Sequence, residues 1–224
     1  MWVTSLGILA ADLWTKNWAF ASLDPVEPYH AIPRVLDFHR SLNDGAVFGS
    51  LTGMVGLFIV ASGLALVFVV SLFMSSDARQ RSLHIGLGLI LAGALGNLYD
   101  RAFMKADVIE LTSGVRRIGI RVDPPPGWED PDSTLWMARW PDGGDRRPYR
   151  KSEVAAERNQ GVVRDFIKFT PRFPAWMPKL AGRDIWPWVF NIADAALVCG
   201  VGLLLINFWT DRRRHLRDAG PPAE

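Results

Sequence analysis

An acidic residue inside a long apolar segment places the strongest constraint on this chain. Residues 186–209 form an apolar run that contains Asp194. Because about 20 apolar residues are enough for a helix to cross a bilayer, we expect a membrane-spanning helix here. An acid within such a helix costs roughly 2.5–3.5 kcal/mol on insertion scales, which indicates a functional residue with a partner. The partner that we expect is a second carboxylate, Asp165, in the polar segment before the run.

Three further apolar runs are long enough to span a bilayer, at about residues 2–23, 54–74 and 83–99. With the run at 186–209 they predict an α-helical integral membrane protein with four transmembrane helices, formed by residues 1–224 as a single domain. The first run is expected to be a permanent span, since a cleaved signal peptide has a basic start and an unbroken apolar centre.

The distribution of arginine predicts the orientation of the spans. Arg79 and Arg81 lie between the second and third runs, and four more arginines occur in the tail, residues 210–224. Short loops rich in arginine and lysine stay in the cytoplasm. We therefore expect both termini to be cytoplasmic and residues 24–53 and 101–183 to lie on the opposite face.

The second outer segment contains β-type patterns. Residues 108–112 and 115–122 flank a Ser-Gly pair and predict a hairpin. Residues 123–150 are rich in Pro, Gly and Asp, which indicates irregular structure or an appended small element. The run at 161–169 is again β-like and contains Asp165.

The polar residues within the spans form pairs with helical spacing. Asp12 and Lys16 are four residues apart, so they share one helix face and can form an ion pair that fixes helix packing. Asn97 and Asp100 are three apart, and Asn191 and Asp194 repeat that spacing. Counted from Trp186, Asp194 would lie roughly 12 Å along its helix. A structural alternative for these clusters is polar contact at helix ends and between helices.

Two carboxylates at a membrane surface can hydrolyse a peptide bond, because a pair that shares one proton provides an acid and a base at the same pH. The sequence has no His-Glu-x-x-His, Gly-x-Ser-x-Gly or phosphate-binding loop motif, and its single cysteine, Cys199, excludes disulfides within the chain and cysteine-based metal sites. We read Cys199 as a packing residue. The basic residues are dispersed, so no nucleic-acid partner is expected. The alternative function is a transporter or proton-relay protein that uses Asp12, Asp100 and Asp194.

These motifs and their order resemble the lipoprotein signal peptidase (signal peptidase II) family. The matching stretches are Asp-Leu-Trp-Thr-Lys at 12–16, Asn-Asp-Gly-Ala-Val-Phe at 43–48, Gly-Asn-Leu-Tyr-Asp-Arg at 96–101, Gly-Val-Val-Arg-Asp-Phe at 161–166 and Phe-Asn-Ile-Ala-Asp at 190–194.

The resemblance implies a four-helix membrane bundle with a small extracytoplasmic β-sheet cradle. It implies a monomeric aspartic endopeptidase of the bacterial cytoplasmic (inner) membrane, without metal or cofactor and surrounded by membrane lipids. Its substrates would be prolipoproteins, cleaved on the N-terminal side of a diacylglyceryl-modified cysteine at the extracytoplasmic face. Asp165 and Asp194 match the catalytic pair. The supporting substrate-binding residues would be Asp12, Lys16, Asn43, Gly45, Asn97, Asp100, Arg101 and Asn191.

One segment departs from the family pattern. The third and fourth motifs are separated by a short link in the family, whereas residues 104–160 lie between them here. The cost of closing a loop grows slowly with its length, so a surface insertion is tolerable. Our hypothesis is that the insertion forms an extra hairpin element over or beside the active site and alters substrate access.

Overall fold

A computed structural model of the chain describes residues 1–45, 55–77 and 79–218. Residues 46–48 of the second matching stretch and residue 54, at the predicted start of the second span, lie outside the described residues. The helices are α1 (Trp2–Ser22), α2 (Val55–Ser75), α3 (Arg81–Phe103) and α4 (Ile192–Asp218). The strands are β1 (Tyr29–Ile32), β2 (Leu36–Asn43), β3 (Lys105–Leu111), β4 (Arg116–Val122), β5 (Thr134–Ala138), β6 (Arg147–Arg150), β7 (Val154–Gly161), β8 (Val163–Phe169) and β9 (Val189–Phe190).

Each predicted apolar run contains a helix, and two helical segments within the described part of the chain have the length and composition needed to cross a membrane. These are Arg81–Phe103 and Ile192–Arg213. Helix α2 contains a shorter apolar segment, Leu66–Ser75. The length and composition of these two helices fit a membrane protein, and the number of spans stays a prediction.

The predicted start of the fourth helix at residue 186 is wrong. Residues 189 and 190 instead form strand β9, which pairs with β8 through Ile167↔Phe190 and Lys168↔Val189. Pro187 disfavours a helical conformation at the residue before it, and α4 begins only at Ile192. Asp194 consequently lies in the first turn of α4. The expected depth of about 12 Å along the helix was wrong for the same reason.

Helix α3 continues to Phe103, past the predicted end at residue 99. Asp100 and Arg101 are thus helical, and the Met104 N–H closes the final turn by donating to the Asp100 carbonyl at 2.7 Å. Only Met104 separates α3 from strand β3.

The first sheet has four strands in the order β1-β2-β8-β9. The antiparallel pair β1–β2 has the register Tyr29↔Phe38 and His30↔Asp37. Strand β8 is the predicted β-like run and carries Asp165 at its third position. The small sheet that the family resemblance implied is therefore present, and it holds one of the two predicted catalytic carboxylates.

The second sheet has five strands in the order β6-β5-β4-β3-β7 and is built almost entirely from residues 104–160. The predicted hairpin is present as β3–β4, with Val108 opposite Ile118. Its turn uses Gly114 at a φ of +79°, a conformation that favours glycine. The Pro-rich stretch contributes β5 and β6, so it is an appended element and not irregular. Ile109, Leu135 and Met137 form a buried cluster in this sheet.

The chain groups into two compact units. The first consists of Met1–Ser41, Ile59–Leu98 and Arg164–Glu224, and the second of Leu42–Phe58 and Tyr99–Val163. The first unit therefore contains most of the helices and the four-stranded sheet, and the second contains the five-stranded sheet. That residues 1–224 act as one peptidase domain stays a prediction.

Glycines let α3 and α4 approach each other closely. A Cβ added at Gly200 would lie 2.7 Å from Ile90 Cγ1 and 2.8 Å from the Gly86 carbonyl oxygen. A Cβ at Gly93 would collide with the Ala193 carbonyl in the first turn of α4. Small residues at such contacts are typical of helix pairs in membranes, where van der Waals packing between backbones drives association. The contact at Gly93 fixes the turn that carries Asp194.

We expect Gly200→Ala to destabilise the protein, because the added methyl group has no room between α4 and α3. Overpacking of this kind costs roughly 1–3 kcal/mol. The matched control is Gly202→Ala on the same helix, where nothing lies within 4 Å of the added carbon. Alanine has a better helix propensity than glycine by roughly 1 kcal/mol, so this control should be neutral or stabilising. Thermal unfolding in detergent measures the stability of both variants. Equal changes in stability would contradict the close contact at Gly200.

Candidate active site

The predicted ion pair between Asp12 and Lys16 is present in α1. Lys16 Nζ lies 2.8 Å from Asp12 Oδ2, and both side chains are completely buried. A buried ion pair is stable only when further hydrogen bonds satisfy its remaining polar atoms. One such further hydrogen bond is donated by Lys16 Nζ to Asn97 Oδ1 of α3 at 3.2 Å.

Asp12 also holds the beginning of α4. Its Oδ1 accepts the Ala193 N–H at 2.8 Å, so a carboxylate of α1 caps a free amide in the first turn of α4. The approach depends on Gly96 of α3, where an added Cβ would lie 2.5 Å from Asp12 Oδ2. Three helices therefore meet at this carboxylate.

Asn191 and Asp194 form a reciprocal cap at the start of α4. The Asp194 N–H donates to Asn191 Oδ1 at 3.0 Å, and the Asn191 N–H donates to Asp194 Oδ2 at 3.3 Å. This is the capping-box arrangement, with an amide and a carboxylate in place of the usual hydroxyl and Glu. We interpreted the three-residue spacing as one face of a helix. Because Asn191 precedes the helix, the spacing instead reflects this cap. The cap fixes the direction of the Asp194 carboxylate.

Two amide side chains connect the predicted catalytic carboxylates. Asn97 Nδ2 donates to Asp194 Oδ1 at 2.7 Å, and Asn191 Nδ2 donates to Asp165 Oδ1 at 2.6 Å. Asn191 Nδ2 also lies 3.2 Å from Asn97 Oδ1. A continuous polar chain thus runs from Lys16 through Asn97 and Asn191 to both carboxylates. The structure brings together six of the ten predicted site residues: Asp12, Lys16, Asn97, Asp165, Asn191 and Asp194.

Asp165 lies in the interior of the first sheet. It is 2% exposed, and the neighbouring Arg164 is 4% exposed. Arg164 Nη1 donates to Asn17 Oδ1 of α1 at 2.6 Å, which connects β8 to the first helix. The sequence analysis did not select Arg164 or Asn17. The available signal was a second charged residue beside Asp165 with apolar residues on both sides of the pair, since a buried charge requires a polar partner.

An apolar cleft of about 370 Å³ opens beside Asp194. Asp194 is half-buried, and among the described residues that line this cleft it is the only acid. Cys199, which we predicted to be a packing residue, is exposed and lines the same cleft. A largely apolar cavity with one well-placed polar group is typical of ligand sites. The other lining residues are Phe169, Ile185, Trp186, Phe190, Ala195 and Val198.

Lys168 of β8 holds one edge of this cleft. Its Nζ donates to the Trp186 carbonyl at 2.9 Å and lies 2.9 Å from Asp184 Oδ2. The hydrogen bond from Lys168 lowers the pKa of the Asp184 carboxyl. Burial, followed by the nearby Lys168 charge, lowers the pKa of His39. The ammonium group therefore ties residues 184–186 to the strand that carries Asp165.

The four other predicted site residues belong to the second compact unit. Asn43 Oδ1 accepts the Gly45 N–H at 2.9 Å, and Gly45 has a φ of +86°, which favours glycine. Asp100 is completely buried, and the Arg101 carbonyl is so near Gly161 that a Cβ there would collide with it. The functional roles of these four residues stay predictions.

Comparison with known proteins identifies the family of the chain. The family model of signal peptidase (SPase) II matches residues 4–210, which is nearly the whole chain. The chain belongs to the signal peptidase II family. This membership favours the peptidase over the transporter that the sequence left as an alternative.

Named relatives support the same assignment. The chain is 36% identical to a lipoprotein signal peptidase of Rhodococcus jostii over 199 residues, which cover 89% of this chain and 67% of that protein. It is 32% identical to that of Shouchella clausii over 216 residues, covering 96% of this chain and 97% of the relative. A third match, 35% identical, spans 44% of this chain and 66% of the Oleidesulfovibrio alaskensis lipoprotein signal peptidase.

Solved structures share the fold. A bacterial membrane enzyme determined by the in meso method at 2.3 Å resolution superposes with a TM-score of 0.58, with 99% of this chain and 92% of that chain covered. A second, at 1.9 Å resolution, also has a TM-score of 0.58 and covers 92% of this chain and 90% of that chain. Sequence identity is 19% in both cases, so these likenesses concern the fold.

We expect Asp12→Asn to destabilise the protein strongly, because it leaves the buried Lys16 ammonium without its counter-ion. Removing one partner of a buried ion pair lowers the free energy of unfolding by roughly 3–5 kcal/mol. The double variant Asp12→Asn/Lys16→Met should recover much of this loss, since it removes the buried ammonium charge and keeps an oxygen for the Ala193 N–H. Thermal unfolding in detergent provides the measurement. If the double variant is no more stable than Asp12→Asn, loss of the ion pair is not what destabilises Asp12→Asn.

Proposed function

We propose that this chain removes signal peptides from prolipoproteins as a membrane aspartic endopeptidase, with Asp165 and Asp194 as its catalytic pair. The observation that carries the proposal is the position of Asn191. Its side chain donates to Asp165 at 2.6 Å, and its backbone N–H donates to Asp194 at 3.3 Å. One residue at the start of α4 thus orients both carboxylates. Family membership provides the reaction class.

The two carboxylates have different surroundings, which suits a pair that shares one proton. Asp165 is almost completely buried, whereas Asp194 is half-buried and lines the apolar cleft. The ionised member of such a pair accepts a proton from the attacking water, and the protonated member polarises the scissile carbonyl. Hydrogen bonds to both oxygens of Asp194 hold that carboxylate in place, so little reorganisation is needed before reaction.

The cleft beside Asp194 suits the apolar part of a lipid-modified substrate. Apart from Asp194 and Cys199, the described lining residues are aromatic and aliphatic, and Trp186 packs against Trp188 at a centroid distance of 5.2 Å. We propose that the cleft receives the diacylglyceryl-modified end of the prolipoprotein. The scissile bond on the N-terminal side of the modified cysteine would then lie at the level of Asp194.

Four residues around the catalytic pair are proposed to position it. Asp12 caps the first turn of α4, Lys16 neutralises Asp12, and Asn97 and Asn191 bind the carboxylates. We propose that Asn43, Gly45, Asp100 and Arg101 shape the substrate pocket, as the family resemblance implies.

We also propose the topology predicted from the sequence: four spans in the bacterial inner membrane, cytoplasmic termini and an active site at the extracytoplasmic face. The two long apolar helices and the membrane-enzyme fold support the membrane setting. Exposed tryptophans at both ends of the last apolar run, Trp186, Trp188 and Trp209, fit the two membrane interfaces. A monomer is sufficient, since both carboxylates and their partners belong to one chain.

Asp165→Asn and Asp194→Asn should each abolish cleavage of a diacylglyceryl-modified prolipoprotein peptide by purified protein in detergent. An amide at either position cannot share a proton, and loss of a general acid or base typically costs about 10²–10⁴-fold in rate. EDTA should have no effect on the wild type. The matched control is Asp145→Asn, an exposed aspartate with a φ of +45° that asparagine tolerates.

Near-normal turnover by either active-site variant, with the folded state retained, would refute the catalytic pair. Loss of activity in Asp145→Asn as well would indicate that the assay reports general damage. Inactivity of a folded wild type would instead point to substrate preference beyond the lipidated cysteine.

A further inference from the structure

A second cavity lies at the opposite end of α4 from the catalytic pair. It measures about 690 Å³ and is lined by the α2–α3 connection and by the C-terminal part of α4, including Asn207 and Asp211. Asn207 is roughly 20 Å from Asp194 along the helix axis, at about 1.5 Å per residue. The proposed peptidase reaction makes no use of this cavity.

The cavity is lined by two arginines whose guanidinium groups have no partner among the described residues. Arg79 and Arg81 line it, and in the part of the chain that the structure describes neither guanidinium forms a hydrogen bond or an ion pair. Its two acids are engaged: Asp77 Oδ1 accepts the Arg79 N–H at 2.8 Å, and Asp211 interacts within the protein. Two arginines and two aspartates thus line the cavity, and among the described residues the guanidinium groups are the charged groups left to bind a ligand.

Neutral donors lie in the same cavity. Asn207 Nδ2 donates to Ser82 Oγ at 3.1 Å, which leaves the hydroxyl hydrogen of Ser82 free to donate to a ligand. Guanidinium and hydroxyl donors around one cavity fit the oxygens of a phosphate group.

An apolar groove continues from this cavity along α2. The groove measures about 680 Å³ and shares Ser75 with the polar cavity. Beyond Ser75 it is lined by Leu66, Val67, Val70, Ser71 and Met74, which cover about two helical turns. A polar, cationic pocket joined to an apolar groove has the shape and polarity of a phospholipid headgroup followed by an acyl chain.

Aromatic groups near the pocket fit a position at the membrane interface. The Arg213 guanidinium stacks on the Trp209 ring, 3.7 Å from its centroid, and Trp2 packs edge-on against Phe73 at 6.1 Å. Tryptophan and arginine at helix ends are typical of the headgroup region. Arginines close to a membrane surface attract anionic lipids.

We propose that this pocket and groove bind one phospholipid with an anionic headgroup, its phosphate on Arg79 and Arg81 and one acyl chain along α2. The free guanidinium groups favour an anionic lipid over a zwitterionic one. The groove distinguishes a lipid from a free phosphate ion, which would use the pocket alone.

The test measures retention of phosphatidylglycerol and phosphatidylcholine by the purified full-length protein in detergent, by native mass spectrometry. Wild type should retain phosphatidylglycerol in preference to phosphatidylcholine. The variant Arg79→Gln/Arg81→Gln should retain it roughly 10- to 30-fold less well, since each arginine near a membrane contributes about 1 kcal/mol and about 1.4 kcal/mol is tenfold. The charge-matched control, Arg117→Gln/Arg158→Gln, changes two exposed arginines of the five-stranded sheet and should behave as wild type.

A second pair of variants tests the groove. Val70→Trp should fill it and weaken phosphatidylglycerol retention, whereas Leu64→Trp, on the exposed surface of α2 outside the groove, should not. Inorganic phosphate should fail to displace the lipid. Circular dichroism and thermal unfolding in zwitterionic detergent confirm that each variant is folded, and the single arginine variants replace the double one if it is not.

Four results would overturn the proposal. Equal retention of the two lipids by wild type would show that the arginines do not select charge. An unchanged Arg79→Gln/Arg81→Gln variant would show that they do not bind the headgroup. Displacement by inorganic phosphate, or an unaffected Val70→Trp variant, would indicate an anion pocket without an acyl-chain groove.

Discussion

The first turn of α4 is the part of the structure on which the site depends. A helix begins with free backbone N–H groups, and here Asp12, Asn191 and Asp194 satisfy amides of that turn. The residues that cap the helix are therefore also those that orient the carboxylates. Because Asp194 takes part in its own helix cap, its direction is tied to the position of α4. The site and the helix start cannot change independently.

Close helix contact makes this arrangement possible. Gly93 and Gly96 of α3 leave room for the Ala193 carbonyl and for the Asp12 carboxylate, respectively. Asn97, one residue later, is thereby within hydrogen-bond distance of both Lys16 and Asp194. The same small residues that stabilise helix association thus bring polar side chains from three helices together. In a membrane, such a cluster must satisfy its own polar atoms, because lipid offers no hydrogen bonds.

Residue spacing in the sequence predicted contacts within one helix, but it did not predict contacts between elements that are distant in the chain. The i,i+4 spacing of Asp12 and Lys16 was enough to predict their ion pair, because both residues belong to one helix. Asn191 was predicted as a supporting residue, but its position before the helix was missed, because an apolar run does not reveal where strand β9 ends and α4 begins. Arg164 and its bond to Asn17 were also missed, since 147 residues separate the two. The five-stranded sheet was predicted only as one hairpin, because its other pairings join distant or Pro-rich segments.

The sequence by itself indicated the membrane character and the family, and it predicted which two carboxylates form the catalytic pair. Those properties follow from composition and from short motifs, which are local. Tertiary structure alone decided that Asn191 would bridge Asp165 and Asp194, that Cys199 would line a cleft and that an Arg79–Arg81 pocket would continue into an apolar groove. Each of these depends on elements that are distant in the chain. Contacts of that kind are set by how helices and strands pack, which residue order does not specify directly.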